Sequence, residues 1–136
     1  MPLKLTLAPE EKIIVNGAVL TNAGSPATLT VLNQAQILRG KDILTEQDAT
    51  SPATRVYYVV QCAYLFADHA ADYLKAAASF LDDYATAAPS GAPIVSKIKQ
   101  QLADGTVYQA LRSAKKLLAH EKEVLAHVSH AAPTRL

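Results

Sequence analysis

Three of the four histidines lie close together near the C-terminus and are the first residues to consider as metal ligands. His127 and His130 are three residues apart, so they would share one face of a helix that also carries His120. A closed metal site normally also uses Cys or carboxylate ligands at suitable spacing. The nearby carboxylates are Glu121 and Glu123, which fall in a strongly polar stretch. This pattern is typical of surface histidines and predicts no metal site.

The lone cysteine, Cys62, falls beside Val59 and Ala63 on the apolar side of a predicted helix. A reactive thiol needs an exposed, electropositive setting, so we interpret Cys62 as a small buried hydrophobic residue. A single cysteine cannot form an intrachain disulfide, which favours a reducing, cytosolic compartment.

The sequence carries no signature of an enzyme. It has no glycine-rich phosphate loop and no Gly-x-Ser-x-Gly motif. The acidic residues Asp68, Asp72, Asp82 and Asp83 fall on the solvent side of a predicted helix, where solvation explains them without acid–base catalysis. We therefore predict a protein that is not an enzyme and needs no cofactor.

Charge is nearly balanced overall but unevenly distributed along the chain. The net charge is +1, from 13 basic and 12 acidic residues, so no overall field attracts nucleic acid or membrane. At 100° per residue, four cations of the last predicted helix fall within about a third of its circumference. This basic ridge consists of Arg112, Lys115, Lys116 and Lys122. It is suited to follow a phosphate backbone, and it is equally typical of a solvated helix face with cations toward the C-terminus.

The residues before position 40 show the two-residue period of strands. Leu3, Leu5 and Leu7 alternate with polar residues, as in a half-buried strand. Asn16-Gly17 separates two β-rich runs and is typical of a type I′ hairpin turn. With further runs at residues 28–32 and 35–38, the pattern predicts a small antiparallel sheet of four or five strands over residues 3–39.

After Ser51-Pro52 the period becomes that of helices, with Ser51 as the cap. We predict helices over residues 52–67, 70–87 and 94–103, and a last helix from about Thr106 that frays beyond about His127. Its apolar side includes Leu111 and Leu125. The predicted fold is α+β, with a small N-terminal antiparallel β-sheet followed by a C-terminal bundle of about four α-helices. We expect one domain, with a β-rich part (1–50), a helical part (51–130) and a tail (131–136).

An ordered set of short motifs in the first half of the chain resembles the FlbT family of flagellum biosynthesis repressors. The set comprises Leu3-Lys4-Leu5, Asn16-Gly17-Ala18-Val19, Asn33, Ile37-Leu38-Arg39, Asp42-Ile43-Leu44, Asp48-Ala49, Pro52, Arg55, Tyr58 and Gln61. The resemblance implies a post-transcriptional repressor. Such a protein acts on the 5′ untranslated region of flagellin mRNA, where it lowers translation and promotes mRNA decay.

The opening strands also resemble, in topology, those of the RNA-binding regulator CsrA, in which a basic sheet edge grips leader RNA. By that analogy we expect RNA to contact five cations, Lys4, Lys12, Arg39, Lys41 and Arg55. Tyr58 is a further candidate from its place beside Arg55, where an aromatic ring is suited to stack on a base, and packing of the helix on the sheet is the alternative role for this ring. The basic ridge is the secondary candidate.

A second class of function remains open, in which the helical half docks flagellin or a flagellar chaperone and affects flagellin mRNA only indirectly. An exposed edge strand can pair with its copy, so the sequence also allows a homodimer.

The N-terminus is too polar for a signal peptide, and no stretch reaches the ~20 apolar residues of a membrane span. We therefore expect a cytoplasmic protein that does not bind membranes.

Overall fold

The structure, a computed structural model, describes residues 3–131, with the side chains of residues 3–127. The described residues divide into two compact units between Ile43 and Leu44. The N-terminal unit contains the strands and the C-terminal unit contains the α-helices, so the predicted α+β class is confirmed.

Five strands form the N-terminal unit. They are β1 (Leu3–Leu7), β2 (Lys12–Val15), β3 (Ala18–Thr21), β4 (Ala27–Val31) and β5 (Ile37–Arg39), followed by a 3-10 turn at Gly40–Asp42. The strands were expected in one sheet, but they form two antiparallel sheets, β1–β4 and β3–β2–β5. At the β3–β4 turn the side-chain amide of Asn22 donates to the carbonyls of Leu7 and Ala8, which ties this turn to the end of β1.

The hairpin between β2 and β3 is confirmed at Asn16-Gly17. Both residues have positive φ, 50° and 87° respectively, as a type I′ turn requires. The Asn16 side chain also accepts a hydrogen bond from Gln36 N at 2.9 Å, which ties the turn to the segment before β5.

The core of the N-terminal unit is small. It is built from Leu5, Leu7 and Ile13, with Val15, Val31 and Ile37 packed against it. By contrast, every residue of β3 is exposed.

Four α-helices form the C-terminal unit. They are α1 (Pro52–Leu65), α2 (Ala70–Ala87), α3 (Ala92–Ala103) and α4 (Val107–Ala131), with 3-10 turns at Glu46–Asp48, Ala67–His69 and Pro89–Gly91. The bounds of α2 match the prediction. Helix α3 begins two residues earlier than predicted because Pro93 takes one of the first two helical positions. The α4 backbone continues past His127, where fraying was expected, to Ala131.

Helix α1 packs against α2 and α4, and α3 packs against α4. The largest fully buried side chains of this unit are Tyr84, Leu81, Ile98, Leu111, Leu117, Val56 and Val60. Cys62 is buried as predicted. The expectation that Leu125 lies on the buried side of α4 is wrong, because its side chain is 59% exposed.

Candidate nucleic-acid interface

The lysines predicted to bind RNA in the N-terminal unit are exposed, but they are distributed over different elements. Lys4 lies in β1 opposite Thr30 of β4, whereas Lys12 lies in β2 of the other sheet. Lys12 Nζ donates to Thr21 Oγ1 at 3.4 Å across the β2–β3 pair. Lys41 lies in the 3-10 turn after β5. All three ammonium groups can therefore be reached from solvent without a change in the backbone.

Arg39 differs from these lysines because its guanidinium already has protein partners. Its Nε and Nη2 atoms donate to Glu11 Oε2 at 3.1 and 2.9 Å, and Nη2 also donates to the carbonyl of Thr6. The backbone N–H of Ala8 donates to the other Glu11 oxygen at 2.9 Å. These hydrogen bonds, Ala8 first and then Arg39, lower the pKa of Glu11. RNA that contacts Arg39 must therefore compete with the Glu11 carboxylate. The sequence alone did not reveal this pairing of Glu11 with Arg39.

Arg55 and Tyr58 belong to the C-terminal unit, where both lie on α1. Arg55 is exposed and Tyr58 is half-buried. Burial, followed by a hydrogen bond with Cys62, raises the pKa of Tyr58 to about 12. The Tyr58 hydroxyl thus points toward the thiol one turn further along the helix. Burial likewise raises the pKa of the Cys62 thiol, so it stays protonated at neutral pH.

The basic ridge on α4 is exposed at all four of its cations, Arg112, Lys115, Lys116 and Lys122. Two of them also line a groove that the sequence did not reveal. Side chains of α3 and α4 enclose about 280 Å³ there, and the lining residues are Lys97, Gln101, Gln109, Arg112, Ser113 and Lys116. We call this the α3–α4 groove.

Gln61, one of the family motifs, has a structural role in this unit. Its side chain is 4% exposed. The amide accepts from Leu44 N and donates to Leu44 O, both at 2.8 Å, so it satisfies both backbone groups of that residue. This pairing holds Leu44, at the start of the C-terminal unit, against α1. Because the Gln61 amide is buried and bonded at both ends, it does not face solvent.

His120, a candidate in the metal hypothesis, is held between two hydroxyl groups. Its Nδ1 lies 2.6 Å from the Tyr84 hydroxyl and its Nε2 lies 2.9 Å from Ser90 Oγ. In the described part of the chain, no three His, Cys, Asp or Glu side chains are grouped to hold a metal ion. The side chain of His130 lies outside the described residues.

Glu121, the next residue, points to the start of α1. Its carboxylate accepts from Ser51 Oγ at 2.6 Å and from Ala53 N at 3.0 Å. This places a negative charge at a helix N-terminus, where the helix dipole favours it.

Within the described residues, no helix has the length and apolar character needed to cross a membrane.

Comparison with known proteins gives one consistent family. The profile of the family described as "Flagellar protein FlbT" matches residues 3–125. The chain is 38% identical over 125 residues to the probable flagellum biosynthesis repressor protein FlbT 1 of Bradyrhizobium diazoefficiens, covering 91% of this chain and 85% of that protein. It is 35% identical over 133 residues to the flagellum biosynthesis repressor protein FlbT of Caulobacter vibrioides, covering 95% of this chain and 93% of that protein. No solved structure gives a match.

Proposed function

This chain belongs to the FlbT family of flagellar proteins, and from that premise we propose that it represses flagellum biosynthesis by binding the 5′ untranslated region of flagellin mRNA. The relatives' names support the repressor role. In this proposal the bound protein occupies the leader, lowers translation and promotes decay of the message. Such a repressor acts by occupancy and needs no catalytic group, and its site of action is the cytoplasm.

The observation that carries the RNA proposal is the exposed basic ridge on α4, in a chain whose net charge is only +1. At physiological salt the Debye length is ~8 Å, so distant acidic residues do not cancel the field of a local cluster. Four cations on one third of a helix surface can therefore attract phosphates although the chain as a whole is nearly neutral. The exposed Lys4, Lys12 and Lys41 of the N-terminal unit are the other proposed RNA contacts.

The experiment is a filter-binding titration of the purified protein with the flagellin leader RNA at increasing salt concentrations. We expect saturable binding whose logarithmic salt slope is about −0.7 for each phosphate neutralised. An unrelated RNA of the same length serves as the control and should bind more weakly. Lack of saturable binding to the leader at low salt would refute the RNA proposal.

The second candidate function is a docking regulator that binds flagellin or a flagellar chaperone and affects flagellin mRNA only indirectly. Exposed apolar side chains favour it, although the set that carries this argument lies in the N-terminal unit and not in the helical half expected from the sequence: Val19 is 62% exposed, Leu20 47% and Leu29 42%. In this case the purified protein would show no saturable binding to the leader RNA, and Val19→Asp would abolish co-purification with flagellin or the chaperone. Because β3 is an edge strand of its sheet, light scattering of the same variant also tests a homodimer that pairs through β3.

A further inference from the structure

We infer that the α3–α4 groove is a phosphate-binding subsite that holds the backbone of a single-stranded RNA. The choice of RNA as the source of the phosphates rests on the proposed function. The phosphate chemistry itself follows from the residues that line the groove.

Three of the six described lining residues are cations, and none is a carboxylate. Lys97 comes from α3, whereas Arg112 and Lys116 come from α4. Arg112 and Lys116 are four residues apart, so their side chains lie one above the other on the same helix face. Like charges at this spacing repel, and a bound anion between the helices would offset that repulsion.

The polar residues of the groove add hydrogen-bonding groups beside these cations. Ser113, which is 5% exposed, has its Oγ donating to Gln101 Oε1 at 2.7 Å. This bond occupies the oxygen of the amide, so the NH₂ end of Gln101 is the end suited to donate to a ligand. A second amide, Gln109, lines the same groove. Ammonium, guanidinium and amide donors together match the oxygen atoms of a phosphate.

Helix α3 carries two lysines, Lys97 and Lys99, and of these two Lys97 lines the groove. Lys99 forms an ion pair with Asp82 of α2. Lys97, two residues earlier, lines the groove on the side of α4. None of the described residues that line the groove with Lys97 is a carboxylate. Lys99, in contrast, is paired with an aspartate outside the groove.

The extent of the basic surface favours a strand over a single small phosphate. From Arg112 in the groove, the exposed cations of α4 continue to Lys122. Ten residues at 1.5 Å per residue correspond to about 15 Å along the helix. Several consecutive phosphates of an extended strand can lie along such a surface, whereas one free phosphate would occupy only part of it. An acidic peptide is the competing polyanion.

The test compares two double variants of the full chain that change the net charge equally. The groove variant carries Lys97→Gln and Lys116→Gln, and the comparison variant carries Lys75→Gln and Lys99→Gln, at positions outside the proposed RNA contacts. All four side chains are exposed, and the Lys99–Asp82 pair lies at the surface, so both proteins should keep the wild-type circular dichroism spectrum and nearly the wild-type melting temperature. Each protein is titrated over a range of salt concentrations with the flagellin leader RNA, and with an unrelated RNA of the same length.

We expect the groove variant to bind both RNAs with a salt slope shallower by about 1.4, because two phosphate contacts contribute about 0.7 each. At 0.1 M salt its binding should therefore be roughly 25-fold weaker than that of the wild type. The comparison variant should bind both RNAs within a factor of about two of the wild type, and an equal loss in both variants would overturn the groove assignment. In the wild-type protein, an octamer of uridylate should shift the side-chain amide NMR resonances of Gln101 and Gln109. Polyglutamate of equal charge should not displace the octamer.

Each other result has a defined meaning. A groove variant that binds both RNAs like the wild type would overturn the groove assignment and leave the proposed function intact. Equal displacement by polyglutamate would also overturn it, in favour of an acidic protein partner. If the wild type binds the flagellin leader no better than unrelated RNA, the proposed function fails, and the two variants still decide whether the groove binds RNA. A wild type that binds neither RNA would overturn both.

Discussion

At the scale of single residues, the same charge has different consequences at neighbouring positions. The guanidinium of Arg39 donates to Glu11 and to the Thr6 carbonyl, which links β5 to β1 and to the residues before β2. Lys41, two residues later, is exposed on a 3-10 turn. Removing Arg39 therefore removes hydrogen bonds within the fold, whereas removing Lys41 removes a positive charge from the surface.

This difference predicts separable phenotypes for Arg39→Ala and Lys41→Ala. We expect Lys41→Ala to weaken leader RNA binding about fivefold at 0.1 M salt, as the loss of one phosphate contact predicts, with no change in melting temperature. Arg39→Ala should lower the melting temperature as well, because Glu11 loses its partner. Calorimetry and filter binding of the two purified variants provide the measurements. Equal melting temperatures would show that the Arg39–Glu11 pair adds nothing to stability.

Close packing around Gly91 gives a second prediction. A Cβ atom at this position would lie 2.7 Å from Cε1 of Tyr84 and 3.0 Å from Cε1 of His120. Because Tyr84 is only 2% exposed, its ring cannot move without disturbing the core. Gly91→Ala should therefore cost about 1–3 kcal/mol in urea unfolding. Gly24→Ala is the matched control and should be nearly neutral, since a Cβ there meets nothing within 4 Å.

Tyr84 also predicts a loss of stability at alkaline pH. Burial, and secondarily the charge of Glu121, raises the pKa of Tyr84 to about 12, against about 10 in an unfolded chain. Between these values the unfolded state loses this proton while the folded state keeps it, so stability falls as pH rises from about 10 to about 12. In Tyr84→Phe the fall in unfolding free energy should be smaller by up to about 1.4 kcal/mol per pH unit. Urea unfolding at several pH values gives the two slopes, and equal slopes would contradict the prediction.

At the scale of elements, α4 contributes to the start of α1. The Glu121 carboxylate accepts hydrogen bonds from Ser51 Oγ and Ala53 N, whereas the local capping box joins Ser51 to Thr54. Since Glu121 lies beside the first turn of α1, the residues that follow it in α4 extend past the beginning of α1. This geometry explains why Leu125 is exposed although it continues the apolar side of the helix.

Glu121→Gln tests this contact between helices. The amide keeps the size of the side chain but loses the negative charge at the α1 N-terminus, and only its oxygen can still accept. We expect a loss of about 1 kcal/mol in unfolding free energy, which should shrink at high salt. Glu123→Gln, an exposed position on the same helix, should change stability by less than about 0.5 kcal/mol. A loss of equal size in both variants would mean that the Glu121 carboxylate has no special role.

Sequence-based prediction was accurate for elements whose signals are local. The Asn16-Gly17 turn, the Ser51 cap and the bounds of α2 each depend on residues only a few positions apart. Hydrogen bonding between β1 and β4 joins residues 20 to 28 positions apart in sequence, and no short motif marks it. The periodicity of single strands therefore could not show that five strands form two sheets.

The candidate site shows the same limit. The exposed face of α4 could be found from the sequence because helical spacing alone defines it. The Glu11–Arg39 pair joins residues 28 positions apart, and Lys97 reaches the groove from a different helix than Arg112. Each depends on which elements are neighbours in the fold, which is information that the residue types do not carry.

At the scale of the whole molecule, near-neutrality predicts that RNA binding depends on where a charge lies and not on how many charges there are. Lys75→Gln and Arg112→Gln each lower the net charge from +1 to 0 at an exposed helix position, and only Arg112 lines the α3–α4 groove. If the field of the whole chain attracted RNA, the two variants would bind equally weakly. Since screening confines each field to about 8 Å, we expect Arg112→Gln to weaken leader RNA binding about fivefold at 0.1 M salt and Lys75→Gln to leave it within a factor of about two. Filter binding at low and high salt makes the comparison, and an equal loss in both variants would show that RNA responds to total charge, with no defined phosphate path on the surface.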